Sequence, residues 1–371
     1  MRLLIISDTK VQKKNLFFFG FNSVVNEINY LSSEFSEIYW IATDYSDHEF
    51  DPSLKPIDSR VRLYLFPPLG GSSFFRKLAS IYHYPRYIRM IVKLSKKVDV
   101  IHTRGPNQVS LIAVLLSFLY IDKKFWYKYA TNWGNKNVPI RNRIERILLK
   151  LNKRIVVTIN GFWPSQASHF KSFENPSIRI DQLNCGNSIN KDFNGSFKLV
   201  FAGRFESAKG MDLLIEVLPK LPNHKIKEWV FLGDGPLKEP LDSALINCGI
   251  KAQIKGVVSQ DTVHQELEEA HFLILPSRSE GFPKVISEAW NYGCIPISSD
   301  VGSIPQYLKD GSNGFLISEL NGNCIVETIN RAFNSDPHNL KFLSKNGNLM
   351  ARRFTFEHYI LRLKELVFGD N

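Results

Sequence analysis

Ser277-Arg278-Ser279-Glu280-Gly281-Phe282-Pro283-Lys284-Val285-Ile286-Ser287-Glu288-Ala289-Trp290 decides the reading of this 371-residue chain. Ahead of it runs His271-Phe272-Leu273-Ile274-Leu275-Pro276, an apolar stretch that reads as a buried parallel strand. The polar loop that follows ends at Gly281, and Pro283 opens a helix, where its missing N–H is harmless because the first turn has no partner for that group. A helix N-terminus is thereby presented at the carboxyl end of a strand, where N–H groups and the helix dipole favour a phosphate. Two carboxylates bracket the anion site: Glu280 in the loop and Glu288 about one and a half turns into the helix. A carboxylate beside a phosphate is unfavourable unless it accepts hydrogen bonds from hydroxyls. The pattern therefore points to a ligand carrying both phosphate and sugar.

Outward from this stretch the chain alternates strand and helix patterns. In the first half, strands are predicted at 3–7, 37–43, 61–66, 98–102, 124–129 and 154–159. Helices are predicted at 24–35, 74–97, 108–119 and 140–153. The second half repeats the theme, with strands at 198–202, 229–232, 253–256, 272–275 and 295–298, helices between them and a helical tail. Such alternation implies right-handed βαβ units on parallel sheets. The length exceeds what one core usually serves, so the expected α/β architecture is two Rossmann-like parallel-sheet domains facing across a cleft. The polar, Asn-rich segment 184–195 reads as the linker. It gives a first domain over 1–187, a second over 195–350 and a C-terminal helix over 351–371.

An apolar fraction of 44% suits a folded, soluble protein. The longest uninterrupted apolar segment, 109–120, is shorter than the roughly 20 residues a bilayer span needs. Met1–Asp8 reads as a first core strand rather than a signal peptide. Four scattered cysteines, with no Cys-x-x-Cys, point to a reducing cytoplasm and away from a structural metal. The net charge of +11 is uneven. Residues 1–190 hold 27 Lys/Arg against 14 Asp/Glu, and residues 61–154 hold 19 against three. That asymmetry calls for a polyanionic partner of the first half: nucleic acid, an anionic membrane or a phosphorylated acceptor.

Further motifs fall at strand ends. Phe201-Ala202-Gly203-Arg204 leads into Phe205-Glu206-Ser207-Ala208-Lys209-Gly210, setting Arg204 and Lys209 at the carboxyl edge where ligands of open α/β sheets bind. An Arg fork and a Lys point charge suit a diphosphate, although each could equally be a solvated surface residue. Gly233-Asp234-Gly235-Pro236 reads as an ordinary turn on the same edge. Gly256-Val257-Val258 offers backbone on which a nucleobase could lie. Gly302-Ser303-Ile304-Pro305 and Gly311-Ser312-Asn313-Gly314-Phe315 are glycine turns.

Taken in order, Gly203-Arg204, Lys209-Gly210, Gly233-Asp234-Gly235, Glu280-x7-Glu288 and Gly311-x2-Gly314-Phe315 resemble the retaining GT-B glycosyltransferases of family 4, the glycosyl transferases group 1 family. The resemblance implies that Gly203, Arg204 and Lys209 meet the donor's pyrophosphate, with the two cations stabilising the leaving group. It places Glu280 near the transferred sugar and Glu288 on the ribose hydroxyls. Gly281 and the amides near Phe282, Lys284 and Val285 would surround the distal phosphate, with Gly233 and Gly256 lining the nucleotide. Retention in this family is assigned to front-face displacement, in which the leaving diphosphate helps deprotonate the acceptor. The enzyme then supplies position and electrostatic stabilisation. No metal and no cofactor beyond the nucleotide-diphosphate sugar are expected, and the chain has no Asp-x-Asp pair. The resemblance also sends the C-terminal helix back onto the first domain.

The first half departs from the family pattern. Its first loop, Lys13-Lys14-Asn15-Leu16-Phe17-Phe18-Phe19-Gly20-Phe21, has one glycine where relatives have a pair. It suggests an apolar acceptor surface, such as one for a lipid carrier, or a packed loop. His102, on the strand ending His102-Thr103-Arg104-Gly105, is a catalytic candidate or a core histidine. Asn132 or Trp133 would have to shape the acceptor site in place of another histidine.

The helices 74–97 and 140–153 interleave basic and apolar residues, as a peripheral membrane contact or a solvated face would. Together these features predict a hexosyltransferase at the inner face of the cell membrane. It would move a hexose or N-acetylhexosamine onto a lipid-linked glycan in surface polysaccharide assembly. A nucleotide-sugar epimerase or hydrolase of the same fold, or a non-catalytic polyanion binder, are the alternatives. Nucleic acid is not expected, because no RNA-binding signature occurs.

Overall fold

The computed structural model describes residues 1–51, 53–69, 82–119, 122–164 and 166–369. It divides into two compact units, Met1–Phe173 with Ile360–Asn371, and Glu174–Tyr359. Each unit is an α/β sheet with its own core.

The first unit holds β1 (Arg2–Lys14), β2 (Phe17–Gly20), β3 (Glu37–Asp44), β4 (Lys55–Pro56), β5 (Val61–Phe66), β6 (Val100–Gly105), β7 (Lys124–Tyr129), β8 (Ile155–Ile159) and β9 (Phe170–Ser172). Its parallel part runs β5-β3-β1-β6-β7-β8-β9. Beyond Ser7, however, β1 continues to Lys14 and folds back as a hairpin with β2, pairing Val11 with Gly20 and Lys14 with Phe17. The stretch expected to be a loop is thus mostly strand. Asn15, at φ +56, makes the turn, a conformation asparagine tolerates better than most residues. Phe17 and Phe21 are exposed, Phe18 and Phe19 half-buried.

The second unit holds β10 (Phe197–Ala202), β11 (Ile226–Leu232), β12 (Ala252–Gly256), β13 (Phe272–Leu275), β14 (Ile295–Ser299) and β15 (Phe315–Ile317). All are parallel, in the order β12-β11-β10-β13-β14-β15. Leu199–Phe201 and all four residues of β13 are buried, as expected for parallel strands covered on both faces.

The boundaries differ from those expected. The second unit begins at Glu174, not after 187, and keeps the chain until Tyr359, not 350. The segment taken for a linker, 184–195, is anchored to the second unit: Phe193 is buried in its core with Ile189 packed against it, and Lys191 Nζ donates to the carbonyls of Leu267 and Glu268. Its polarity belongs to its outer face. Ala351 and Phe354 likewise lie in the second core, which delays the return to the first unit until Ile360. The helix expected to run to residue 35 ends at Leu31. Of the basic helix expected over 74–97, Tyr84–Ser95 is helical, and residues 74–81 lie outside the described residues. Among the described residues, no helix is long and apolar enough to cross a membrane.

Candidate active site

The strand order of the second sheet reverses between β10 and β13, which both pair in the middle of the sheet. In an open α/β sheet, a ligand binds outside the carboxyl ends of the strands at that reversal. The loops leaving β10 and β13 there carry Gly203–Gly210 and Pro276–Pro283. Across them Lys209 Nζ lies 2.5 Å from Glu280 Oε1, with the Glu280 side chain largely buried. Arg204 is turned to solvent beside them, its Nε 3.2 Å from Glu206 Oε2. A cation, a carboxylate and a largely exposed guanidinium thus meet at the edge position of this sheet where the topology opens a crevice.

The neighbouring strand ends continue the edge. Gly233 N donates to Gly256 O at 2.7 Å, and Gly203 N donates to Leu232 O at 2.9 Å. Gly203, Gly233 and Gly256 therefore follow one another along the tips of β10, β11 and β12. Phe205 N donates to Asp234 O, fastening the first loop to the Gly233–Gly235 turn.

The loop bearing Glu280 is fixed from both sides. Gly210 has φ +73, and a Cβ there would stand 1.9 Å from Pro276 O. Gly302 has φ +62, and its Cβ would stand 2.0 Å from Glu280 O. Both positions admit only glycine, because a side chain would meet backbone as well as strained dihedrals. Ser303 donates to Gly281 O from its N–H (2.9 Å) and from Oγ (2.8 Å). Arg278 N donates to Ala208 O, and its guanidinium grips Asp212 at 2.6 and 2.7 Å. Beneath the loop the Phe282 ring is buried, stacked on Phe354 at 4.7 Å and edge-on to Tyr307 at 5.1 Å.

The helix that follows spans Lys284–Asn291. Pro283 is its N-cap and not its first helical residue, a shift of one position from the expected start. Ile286 N bonds Pro283 O, so the helix's opening amides, those of Lys284 and Val285, precede its first backbone bond. Glu288 is buried on the inner face, where Gln260 Nε2 donates to its Oε1 at 3.1 Å. His264 Nε2 lies 3.9 Å from the same oxygen. Because Gln182 Oε1 accepts from Arg179 N, its Nε2 is the group facing His264 Nδ1 at 2.9 Å. That assigns the His264 proton to Nε2, pointing at Glu288. Glu288 is thus a positioned acceptor 28 residues from the Gln260 that holds it.

Sequence reasoning missed Gln260, His264 and Asp212, and it read Gly302 and Ser303 only as part of a glycine turn, without their hold on the Glu280 loop.

His102 belongs to the core and not to this site. It is fully buried, stacked on Trp126 at 3.6 Å, with Nδ1 facing Trp126 O at 3.3 Å. Burial, reinforced by the nearby Arg104 charge, lowers its pKa to about 3, so it stays neutral. Arg104 and Lys128 both pair with the fully buried Glu27, at 2.8 and 2.7 Å. Trp133 packs on Tyr129 and Phe170, and Asn132 Oδ1 accepts from Gly134 N. The structure gives these two residues places in the local packing of the first unit.

Residues 188–349 match the model of the glycosyl transferases group 1 family. Over its full length, the chain superposes on the Anabaena protein HepE, solved in complex with UDP, at a TM-score of 0.70, with 14% identity and all of both chains covered. It also superposes on WaaG, a glycosyltransferase involved in lipopolysaccharide biosynthesis, at 0.65, with 14% identity and all of both chains covered. The chain therefore shares the two-domain GT-B fold of these proteins. The stretch that matches the glycosyl transferases group 1 family lies within its second unit.

Among curated proteins, a Methanocaldococcus jannaschii protein named as an uncharacterized glycosyltransferase is 26% identical over 66% of this chain and 63% of its own length. The Arabidopsis thaliana sulfoquinovosyl transferase is 31% identical over 32% of this chain and 23% of its own. A Klebsiella pneumoniae 41.2 kDa protein from a cps region is 26% identical over 68% of this chain and 73% of its own. The chain thus spans less than two thirds of the first two relatives.

Proposed function

We propose that this protein transfers a hexose or N-acetylhexosamine from a nucleotide-diphosphate sugar to a glycan acceptor, with retention of configuration. The observation that carries the proposal is the Lys209–Glu280 pair at the strand-order reversal, with Arg204 open beside it. A sugar diphosphate places phosphate oxygens and sugar hydroxyls within a few ångströms of each other, and this pair offers a cation and a carboxylate at the same separation. Lys209 and Arg204 would neutralise the charge that grows on the departing diphosphate, without a metal ion. Glu280 would accept from hydroxyls of the sugar, and Glu288 from the ribose. Because the groups are held before reaction, they cost little reorganisation when the glycosidic bond breaks.

HepE, which shares the fold, was solved with UDP and with UDP-glucose, so a uridine donor is the first to test. The cps-region relative supports a place in polysaccharide assembly, with the acceptor presented on a lipid at the inner membrane face. The test is thermal unfolding with UDP, GDP, ADP and CMP, on wild type and Glu288→Ala. A ligand at 100 times its dissociation constant stabilises by about 2.7 kcal/mol. One nucleotide series should raise the wild-type Tm, and less so the variant's. A folded protein indifferent to all four would overturn the reading.

A further inference from the structure

The helix Ile140–Leu151 has two apolar faces, and only one is used. Glu145 and Leu149 point inward and are fully buried. Ile140, Ile144, Ile147 and Leu151 are 46 to 76% exposed. Their spacing is i, i+4, i+7, i+11, which at 100° per residue confines them to an arc of about 60° on the side away from the core. Exposed Arg143 and Lys150 flank the stripe on one side, and half-buried Arg141 on the other. Lys153 and Arg154, just past the helix, are exposed as well.

The charge around the stripe is predominantly positive, the exposed Asp122 beside Leu119 being paired with Lys123 at 3.6 Å and Asp8 lying within electrostatic reach of Arg141. Between 123 and 154 the only acidic residue is Glu145, and it is sealed in the core by Ser110 Oγ at 2.6 Å and Tyr127 OH at 2.7 Å. The two neighbouring helices, Tyr84–Ser95 and Gln108–Ser117, contain no acidic residue. They extend the apolar surface through Ile88, Leu115 and, just beyond the second helix, Leu119, all exposed. Between them lies a groove of 370 Å³ lined by Ile88, Leu111, Ile112 and Leu115, with Arg141 also in its wall.

We propose that this face docks on an anionic lipid bilayer, with the Ile140–Leu151 stripe at the headgroup–acyl boundary and the flanking cations on lipid phosphates. Four aliphatic side chains in line, a predominantly positive ring and an adjacent apolar groove match an interfacial helix. An acidic protein surface would satisfy the cations but leave the isoleucines in water. For its setting the inference rests on the membrane-presented acceptor proposed above; for its geometry it stands alone.

The test is flotation of the full chain with vesicles of equal parts phosphatidylglycerol and phosphatidylcholine, against vesicles of phosphatidylcholine alone. Wild type should float with the anionic vesicles only, and added salt should weaken the association. Ile144→Asp with Ile147→Asp should weaken it roughly tenfold or more, since two aliphatic contacts are lost and two repulsive charges added. Arg143→Gln with Lys150→Gln should weaken it less and blunt the salt dependence. Leu349→Asp, an exposed apolar position of the second unit, should change nothing. All substituted residues are exposed, and unchanged nucleotide-induced Tm shifts would verify the fold of each variant. Equal binding to both vesicle types, no binding to either, or a dimer in sedimentation that Ile144→Asp dissolves would each overturn the docking surface. With nucleotide binding intact, any of these results would leave the donor site standing.

Discussion

The two sheets share a strand order and use its reversal differently. In the second unit the segments leaving β10 and β13 carry the pairs Lys209–Glu280, Arg204–Glu206 and Arg278–Asp212, with the Arg204 side chain largely exposed, and glycines and backbone bonds hold them. In the first unit the corresponding reversal lies between β1 and β6, and the charges near it are spent internally, with Arg104 and Lys128 closing on Glu27. Both edges pair their cations with carboxylates of the chain, but Lys209 and Arg204 stay partly or largely exposed, whereas Arg104 and Lys128 close on a fully buried Glu27. Topology sets where a site can form; the number and burial of opposing charges set whether one does.

Removing Glu27 should break the comparison hardest. Glu27→Ala strands two cations in the first core and is expected to lower the unfolding free energy by about 3–5 kcal/mol, read by urea denaturation. Lys209→Ala should do the reverse, leaving stability near wild type while lowering kcat/KM by on the order of 10²–10³ in a transfer assay. Should both variants lose chiefly stability, the second edge is structural too. Gly302→Ala should act through the Glu280 loop: its Cβ meets Glu280 O and its φ is strained, so a loss of about 1–3 kcal/mol and weaker donor binding are expected together.

Protonation gives a subtler contrast. His102 titrates near 3 in the folded protein and near 6.5 when unfolded, so between those values the unfolded state binds more protons. Stability should therefore fall as pH drops below about 6.5 and keep falling toward 3. His102→Phe should flatten that slope in pH-dependent denaturation, while nucleotide binding at neutral pH stays unchanged. The smallest effect belongs to Arg278→Ala. Its pair with Asp212 matches the Glu27 pairs in length but sits in solvent, so about 0.5 kcal/mol of stability is expected to go.

Much of this was legible in the sequence because parallel strands covered on both faces write themselves as apolar runs. β13 matches the Phe272–Leu275 read from the chain, and β6 and β7 end within a few residues of their expected positions. The Glu280-x7-Glu288 pattern was legible because a loop and its helix are contiguous. What failed was non-local. Nothing in Gln260 or His264 announces a carboxylate on another helix. The polar segment 184–195 could not reveal that its few apolar residues, Ile189 and Phe193, suffice to anchor it on the second core. The hairpin after Ser7 hid because Phe17, Phe18 and Phe19 are all aromatic, so the sequence shows no alternation, and the strand is defined only by its pairing with β1 and β4.

The stack of Phe282 on Phe354 also bears on time. Glu280 and its loop leave the ribosome long before Phe354 does, yet the floor of that loop is incomplete without it. A product cut short before Phe354 would keep Glu280 and Glu288 but lose the ring stacked beneath their loop, leaving Tyr307 as the remaining aromatic contact of Phe282 named above.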